Sequence, residues 1–226
     1  MLIRAVLIDL DGTLLDTAAD LAAATNRMLA ALGRPPATID AVATYVGKGI
    51  GMLVQRAIAG DLAGNADPAL VERGLPIFEN AYEQESGRAT RIYPGVIEGL
   101  DRFRGLGLKL GCMTNKAERF TRELLRQQAL EPYFDVVVCG DMLPRRKPDP
   151  LPVLWSCEKF GLSPAQVLVL GDSLNDVQAA RAAGCPVFCV PYGYNEGMPV
   201  AELDCDRVVA TLAEAADIIA RGASGA

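Results

Sequence analysis

The chain has 226 residues, half of them hydrophobic, with 22 Lys plus Arg against 28 Asp plus Glu and a formal net charge of −6; that length closes a core without staples, as one domain carrying an insertion or as two. The acidic balance, with Arg145-Arg146-Lys147 as the densest basic cluster, argues against a nucleic-acid surface, whose affinity comes from cations neutralising phosphates. The absence of any histidine excludes Ser-His-Asp and Cys-His nucleophiles, His-based zinc sites and phosphohistidine chemistry, leaving carboxylates, amines, hydroxyls, thiols or a borrowed ion.

Read in chain order, the first strand is predicted at Ala5 to Ile8. The opening Met-Leu-Ile-Arg-Ala-Val-Leu-Ile is stopped by Asp9 and Asp11, so no leader or membrane anchor is expected and a cytoplasmic location is. From about Asp16 to Arg91 no strand-like run occurs. Helices are predicted instead at Ala18 to Leu32, after Thr38, at Ile50 to Ala59, and after Asp67-Pro68, where Asp caps and Pro starts the helix. Beyond Tyr93-Pro94-Gly95, apolar runs resume at Leu108 to Met113, Val136 to Cys139, Val167 to Leu170, Pro186 to Val190 and Arg207 to Val209. Such runs suit strands buried on both faces of a parallel sheet. Helices are predicted between them at Ala117 to Gln128, Leu151 to Phe160, Asp176 to Ala183 and Leu212 to Ala220, the last three followed by Gly. The fold class is therefore α/β, a doubly wound parallel sheet with an inserted all-helical domain. The expected boundaries are 1–16 core, 17–91 helical insertion and 92–226 core, with a frayed tail from Arg221. The six cysteines form no C-x-x-C pair and are expected to be free, mostly buried thiols in a reducing compartment.

Four of the strands end in residues that can carry chemistry. Asp9-Leu10-Asp11-Gly12 sets two carboxylates at i and i+2 on one side of the chain as it leaves the sheet. Thr114-Asn115-Lys116 offers a hydroxyl and amides at a strand-to-helix junction. Lys147, stiffened by Pro148 and Pro150, follows the third run, and Gly171-Asp172-Ser173-Leu174-Asn175-Asp176 follows the fourth. Taken alone, the Asp9-Asp11 pair also reads as a strand end with a turn, Thr114-Asn115 and Asp176 as helix caps and Lys147 as a solvated charge, while Asp172 is harder to dismiss. Together they converge on the crevice outside the carboxyl ends of the strands, where α/β proteins bind ligands. Several carboxylates without His or clustered Cys suit a hard cation, Mg²⁺ best, and phosphoryl transfer.

Asp-Leu-Asp-Gly-Thr-Leu-Leu-Asp-Thr, Thr114-Asn115-Lys116, Lys147-Pro148 and Gly-Asp-Ser-x-Asn-Asp resemble the four ordered motifs of the haloacid dehalogenase superfamily, and the helical insertion is similar to its helical cap. Tyr45-Val46-Gly47-x-Gly49, Lys-Pro-x-Pro-x-Pro and Val190-Pro-Tyr-Gly-Tyr-Asn195 resemble the bacterial phosphoglycolate phosphatases within it; Glu196 departs from them, standing where related sequences often carry an aromatic residue. The resemblance implies Asp9 as nucleophile and Asp11 as acid and base. It implies Thr114 and Lys147 on the phosphoryl oxygens, and Mg²⁺ held by the Asp9 carboxylate, the Asp11 main-chain carbonyl and Asp172, with Asp176 in support.

The expected partner is a small phosphate ester, 2-phosphoglycolate first, with no nucleic acid or membrane; monomer and homodimer stay open. Substrate contacts are expected from Thr114, Asn115 and Lys147, and from Lys48 and Gly49 in the glycine-rich Val46 to Gly51 segment, an anion cradle or an ordinary helix-helix turn. The alternatives are a phosphatase for another small sugar or metabolite phosphate, a β-phosphoglucomutase-like enzyme, a phosphorylated receiver domain and a catalytically dead binding protein.

Overall fold

A computed structural model of the chain describes residues 2–223. Six strands form one parallel sheet: β1 (Ala5–Ile8), β4 (Lys109–Met113), β5 (Val136–Val138), β6 (Val167–Gly171), β7 (Val187–Cys189) and β8 (Arg207–Val208), in the order β5-β4-β1-β6-β7-β8. The pleat explains the unbroken apolar runs, because successive side chains enter cores on opposite faces. Val6 and Ile8 join Leu110, Cys112, Leu168 and Leu170 on one side, while Ala5 and Leu7 join Val167 and Val169 on the other. The first face is covered by α5 (Val96–Gly105), α6 (Glu118–Gln127) and α9 (Leu212–Ala223), and the second by α7 (Leu151–Phe160) and α8 (Leu174–Ala183). β1 lies between β4 and β6, so the order turns in both directions from it and opens a crevice at its carboxyl end.

The helical cap consists of α1 (Ala18–Ala31), α2 (Ile39–Tyr45), α3 (Ile50–Ala59) and α4 (Pro68–Glu85), packed around Met28, Val42, Val54, Phe78 and Tyr82. Between Asp16 and Arg91 the described chain forms helices alone, as expected, but a strand pair bounds the segment: β2 (Leu15–Asp16) and β3 (Arg91–Ile92) pair antiparallel where the chain enters and leaves the cap. Two residues carry no periodicity, so the pair leaves no sequence signal. The tail is not frayed from Arg221, since α9 runs through Gly222 to Ala223; the remainder of the expected tail, residues 224–226, lies outside the described residues. Ile219 and neighbours on α9 bury against the sheet, and that packing overrides one glycine. No helix among the described residues is long and apolar enough to cross a membrane, and all six thiols are free, five of them buried.

The cap is tied to the core at its hinges. Asp20, buried in the first turn of α1, accepts hydrogen bonds from the backbone N–H of Gly87, Ala89 and Thr90 and from the Thr90 hydroxyl. Tyr194, from the loop after β7, accepts from Thr17 and Ala18 N–H and donates to Asp16 Oδ1 at 2.6 Å. Tyr194 thereby does the N-capping that Thr17 itself does not.

Candidate active site

Each acid and base of the crevice stands at the carboxyl end of a strand. Asp9 leaves β1 with Oδ1 accepting from Leu10 N–H at 2.7 Å and paired with Lys147 Nζ at 2.8 Å. Lys147 is buried and uses all three ammonium hydrogens, the other two reaching Met113 O at 3.0 Å and Asp176 Oδ1 at 2.7 Å. Asp172, at the end of β6, accepts from Thr13 Oγ1 at 2.7 Å and from Tyr194 N–H at 2.5 Å. Asp176 closes a capping box with Ser173 at the start of α8, its Oδ2 accepting from Ser173 Oγ at 2.7 Å. Glycines make this closeness possible. Gly12 takes a φ of +91°, and a Cβ there, or on Gly193, would overlap the Asp172 carboxylate.

Asp9, Asp172 and Asp176 are buried and each offers a carboxylate oxygen within 4.8 Å of the others. Fully ionised, as metal binding requires, the three carboxylates exceed the single ammonium of Lys147 by two negative charges. Burial is the largest influence on Asp9 and pushes its pKa up to about 7; Lys147 opposes the rise and Asp176 adds to it. Burial, then Asp9 and Asp176, hold Asp172 well above the usual carboxylate range. For Lys147, burial favours the neutral amine, but Asp176 and Asp9 outweigh it and the pKa rises. An all-oxygen, buried, doubly over-negative donor set fits a hard divalent cation such as Mg²⁺.

Asp11 lies on the same cavity but in different company. Its carboxylate is outside the Asp9-Asp172-Asp176 cluster, held by Thr17 Oγ1 at 2.7 Å and by Lys116 Nζ at 2.9 and 3.1 Å. Thr114 is buried at the end of β4, its Oγ1 accepting from Lys116 N–H. Asn115 donates to Gly47 O of the cap and to Lys147 O, both at 2.8 Å, which fixes its amide and leaves Oδ1 buried without a partner among the described residues. These groups and Ser173 and Asn175 form the floor of a cavity of about 40 Å³; Leu21, Val46, Gly47, Gly49, Ile50 and Leu53 of the cap form its roof.

Of the sequence-expected residues, Asp9, Asp11, Thr114, Asn115, Lys147 and Gly49 therefore line one cavity, with Asp172 and Asp176 behind Asp9. Lys48 does not line it. Its ammonium pairs with Glu196 at 2.8 Å, on the same oxygen that Arg56 reaches at 3.0 Å. A glycine-rich cap turn can present its backbone to a ligand while its lysine turns to a carboxylate from another loop, and no periodicity distinguishes the two. Sequence reasoning also left Lys116 and Tyr194 unassigned, although both stand inside motifs it singled out.

A haloacid dehalogenase-like hydrolase family model matches residues 6–190, a span reaching from β1 past β7. The chain belongs to the haloacid dehalogenase-like hydrolases. Among similar hydrolases of this family is a protein of Nitrosospira multiformis named phosphoglycolate phosphatase, 56% identical over 217 residues that cover 96% of both chains. A second protein of that name, from Thiobacillus denitrificans, is 52% identical over 97% of this chain and 96% of its own. The crystal structure of a chain from Haemophilus somnus 129pt, titled a predicted phosphoglycolate phosphatase, superposes with a TM-score of 0.90 at 33% identity, covering 96% of this chain and 97% of that one. The parallel sheet with flanking helices is the fold these hydrolases share.

Proposed function

We propose that this hydrolase is a Mg²⁺-dependent phosphatase that converts 2-phosphoglycolate, a small anionic phosphate monoester, to glycolate and phosphate through an aspartyl-phosphate on Asp9. The observation that carries this reading is one small cavity with Asp9, Asp11, Thr114 and Lys147 in its floor and an apolar roof. The relatives named phosphoglycolate phosphatase support the same substrate.

In this mechanism the Asp9 carboxylate attacks phosphorus from Oδ2, the oxygen that no donor among the described residues occupies, while Leu10 N–H and Lys147 hold Oδ1. Thr114 Oγ1 donates to a transferring phosphoryl oxygen, and the Lys147 ammonium, with its hydrogens on Asp9, Asp176 and Met113 O, offsets the phosphoryl charge from beside Asp9. Asp11, entering the step as the acid, gives its proton to the leaving oxygen, then takes one from the water that hydrolyses the aspartyl-phosphate, which releases phosphate and regenerates the Asp9 carboxylate and the protonated Asp11. Asp9, Asp172 and Asp176 would hold Mg²⁺, with the Asp11 main-chain carbonyl as a further ligand, and the ion would supply positive charge that stabilises the phosphoryl oxygens. The roof of Leu21, Val46, Ile50 and Leu53 excludes bulk water from the anhydride-like intermediate. An acidic protein can thus receive a doubly charged ester, because the local excess of negative charge is reversed at the one place where phosphate must sit.

A phosphate-release screen with 2-phosphoglycolate, glucose 6-phosphate and a nucleoside monophosphate tests the assignment. The expected result is a kcat/KM for 2-phosphoglycolate at least about 100-fold above the others, lost when the metal is chelated. A preference for a sugar phosphate, or isomerisation of glucose 1-phosphate to glucose 6-phosphate without phosphate release, would overturn it.

A further inference from the structure

A phosphate monoester that carries a second anion needs a second cation in the cavity, and the cap brings none. Its contributions to the wall are apolar side chains and backbone, while Lys48 and Arg56 are both engaged by Glu196. Two cations line the cavity, Lys147 and Lys116. Lys147 has its three hydrogens on Asp9, Asp176 and Met113 O. Lys116 is buried, with its ammonium on the Asp11 carboxylate and 4.9 Å above the centre of the Tyr82 ring of α4.

The Asp11 carboxylate thus occupies the one cavity cation that is not held by the Asp9-Asp176 pair. A carboxylate arriving with the substrate is the same chemical group, and it can take the place of Asp11 on Lys116. The surroundings favour the exchange. The Tyr82 face keeps the ammonium in a desolvated, cation-accepting position. The first turn of α3 opens on the same cavity at Gly49 and Ile50 with no side chain capping it, so its N–H groups face the same region as Lys116.

We infer that Lys116 is the specificity-determining residue of this site: it receives the carboxylate of a phosphate monoester whose acid group lies within a few bonds of the ester oxygen, and it holds Asp11 as a stand-in until that carboxylate arrives. This inference rests on the phosphatase reading given above and deepens it. It assigns to a core lysine the recognition that the sequence pattern had suggested for Lys48 of the cap.

The test compares 2-phosphoglycolate with ethyl phosphate, an ester of the same size that lacks the carboxylate, in the wild type, Lys116→Met and Lys116→Arg, all with Mg²⁺. Wild-type protein is expected to prefer 2-phosphoglycolate. Lys116→Met is expected to lower kcat/KM for 2-phosphoglycolate about 100-fold more than for ethyl phosphate, as loss of a charge-assisted contact predicts. Lys116→Arg is expected to keep the preference to within about tenfold, because the charge remains. Equal losses on both esters in Lys116→Met, or a preference it retains, would overturn the inference while leaving the phosphatase intact. A wild type without preference between the two esters would instead remove the substrate reading, and this inference with it.

Discussion

The floor and the roof of the cavity are built on opposite principles. The floor gathers Asp9, Asp11, Thr114, Lys116 and Lys147 from different strand ends, all buried or nearly so and all hydrogen-bonded or ion-paired. The roof is Leu21, Val46, Ile50 and Leu53 with two glycines. Chemistry is thus confined to the rigid sheet edge, where burial and crossed ion pairs set the protonation states. The cap contributes shape and dryness.

The largest effect that would break this division is at Asp9. Asp9→Asn is expected to lower kcat by about 10⁴-fold or more, the scale seen when a covalent nucleophile is removed. It is also expected to raise the melting temperature of the metal-free protein, because it removes a carboxylate whose ionised form is disfavoured by burial and by Asp176. Full activity in this variant would place the chemistry elsewhere.

Next in size is the hinge. Asp20→Ala strips the partner from three backbone N–H groups and a hydroxyl, which predicts a loss of about 3 kcal/mol in denaturant unfolding. The loss should fall on the cap, whose first helix and last residues Asp20 holds together.

Asp172→Asn sharpens the contrast from the floor's side. It is expected to weaken Mg²⁺ binding about 10- to 100-fold by calorimetric titration, with the Asp20 hinge and the cap unaffected. The pH dependence follows the same group of acids. In the metal-free protein Asp9 keeps its proton from about pH 4 up to about 7, a window in which the unfolded chain has lost it. Metal-free stability therefore falls as pH rises through that window. Mg²⁺ uptake must expel the protons held by Asp9 and Asp172, so affinity should rise with pH, by up to about tenfold per pH unit for each proton released. A flat Mg²⁺ affinity between pH ~5 and ~7 would contradict the site's electrostatics.

The smallest effect is at the cap's edge. Glu196→Gln frees Lys48 and half-frees Arg56, which keeps its bonds to Leu62 O and Tyr45 O. A loss of about 1 kcal/mol or less and a change in KM of a few-fold are expected, with kcat nearly unchanged.

How much of this was legible in the sequence follows the same division. The parallel sheet was readable because its strands are apolar on both faces, and the helices because glycine or Asp-Pro punctuates them. The floor was readable because motifs carry polar residues at strand ends, where the fold class alone assigns a crevice. The roof was not. Val46 and Ile50 look like any helix-packing residues, and a lysine beside glycines looks like a ligand-binding group even when a distant glutamate holds it. Lys116 and Tyr194 were within quoted motifs, but their roles depend on partners 105 and 177 residues away in sequence, Asp11 and Thr17, and no local pattern records such pairs. The β2-β3 strand pair escaped for the opposite reason, being too short to have a pattern at all.

The central claim is that Asp9 carries the phosphoryl group and that Asp11 handles the protons on both sides of that event. Acetyl phosphate tests it directly, since its leaving group departs without a proton. In Asp11→Asn with Mg²⁺, the first step should proceed and the second stall. Acid quenching followed by peptide mass spectrometry should then find close to one phosphoryl group per chain on the peptide carrying Asp9. Steady turnover by Asp11→Asn with no phosphoryl group on that peptide would contradict the account.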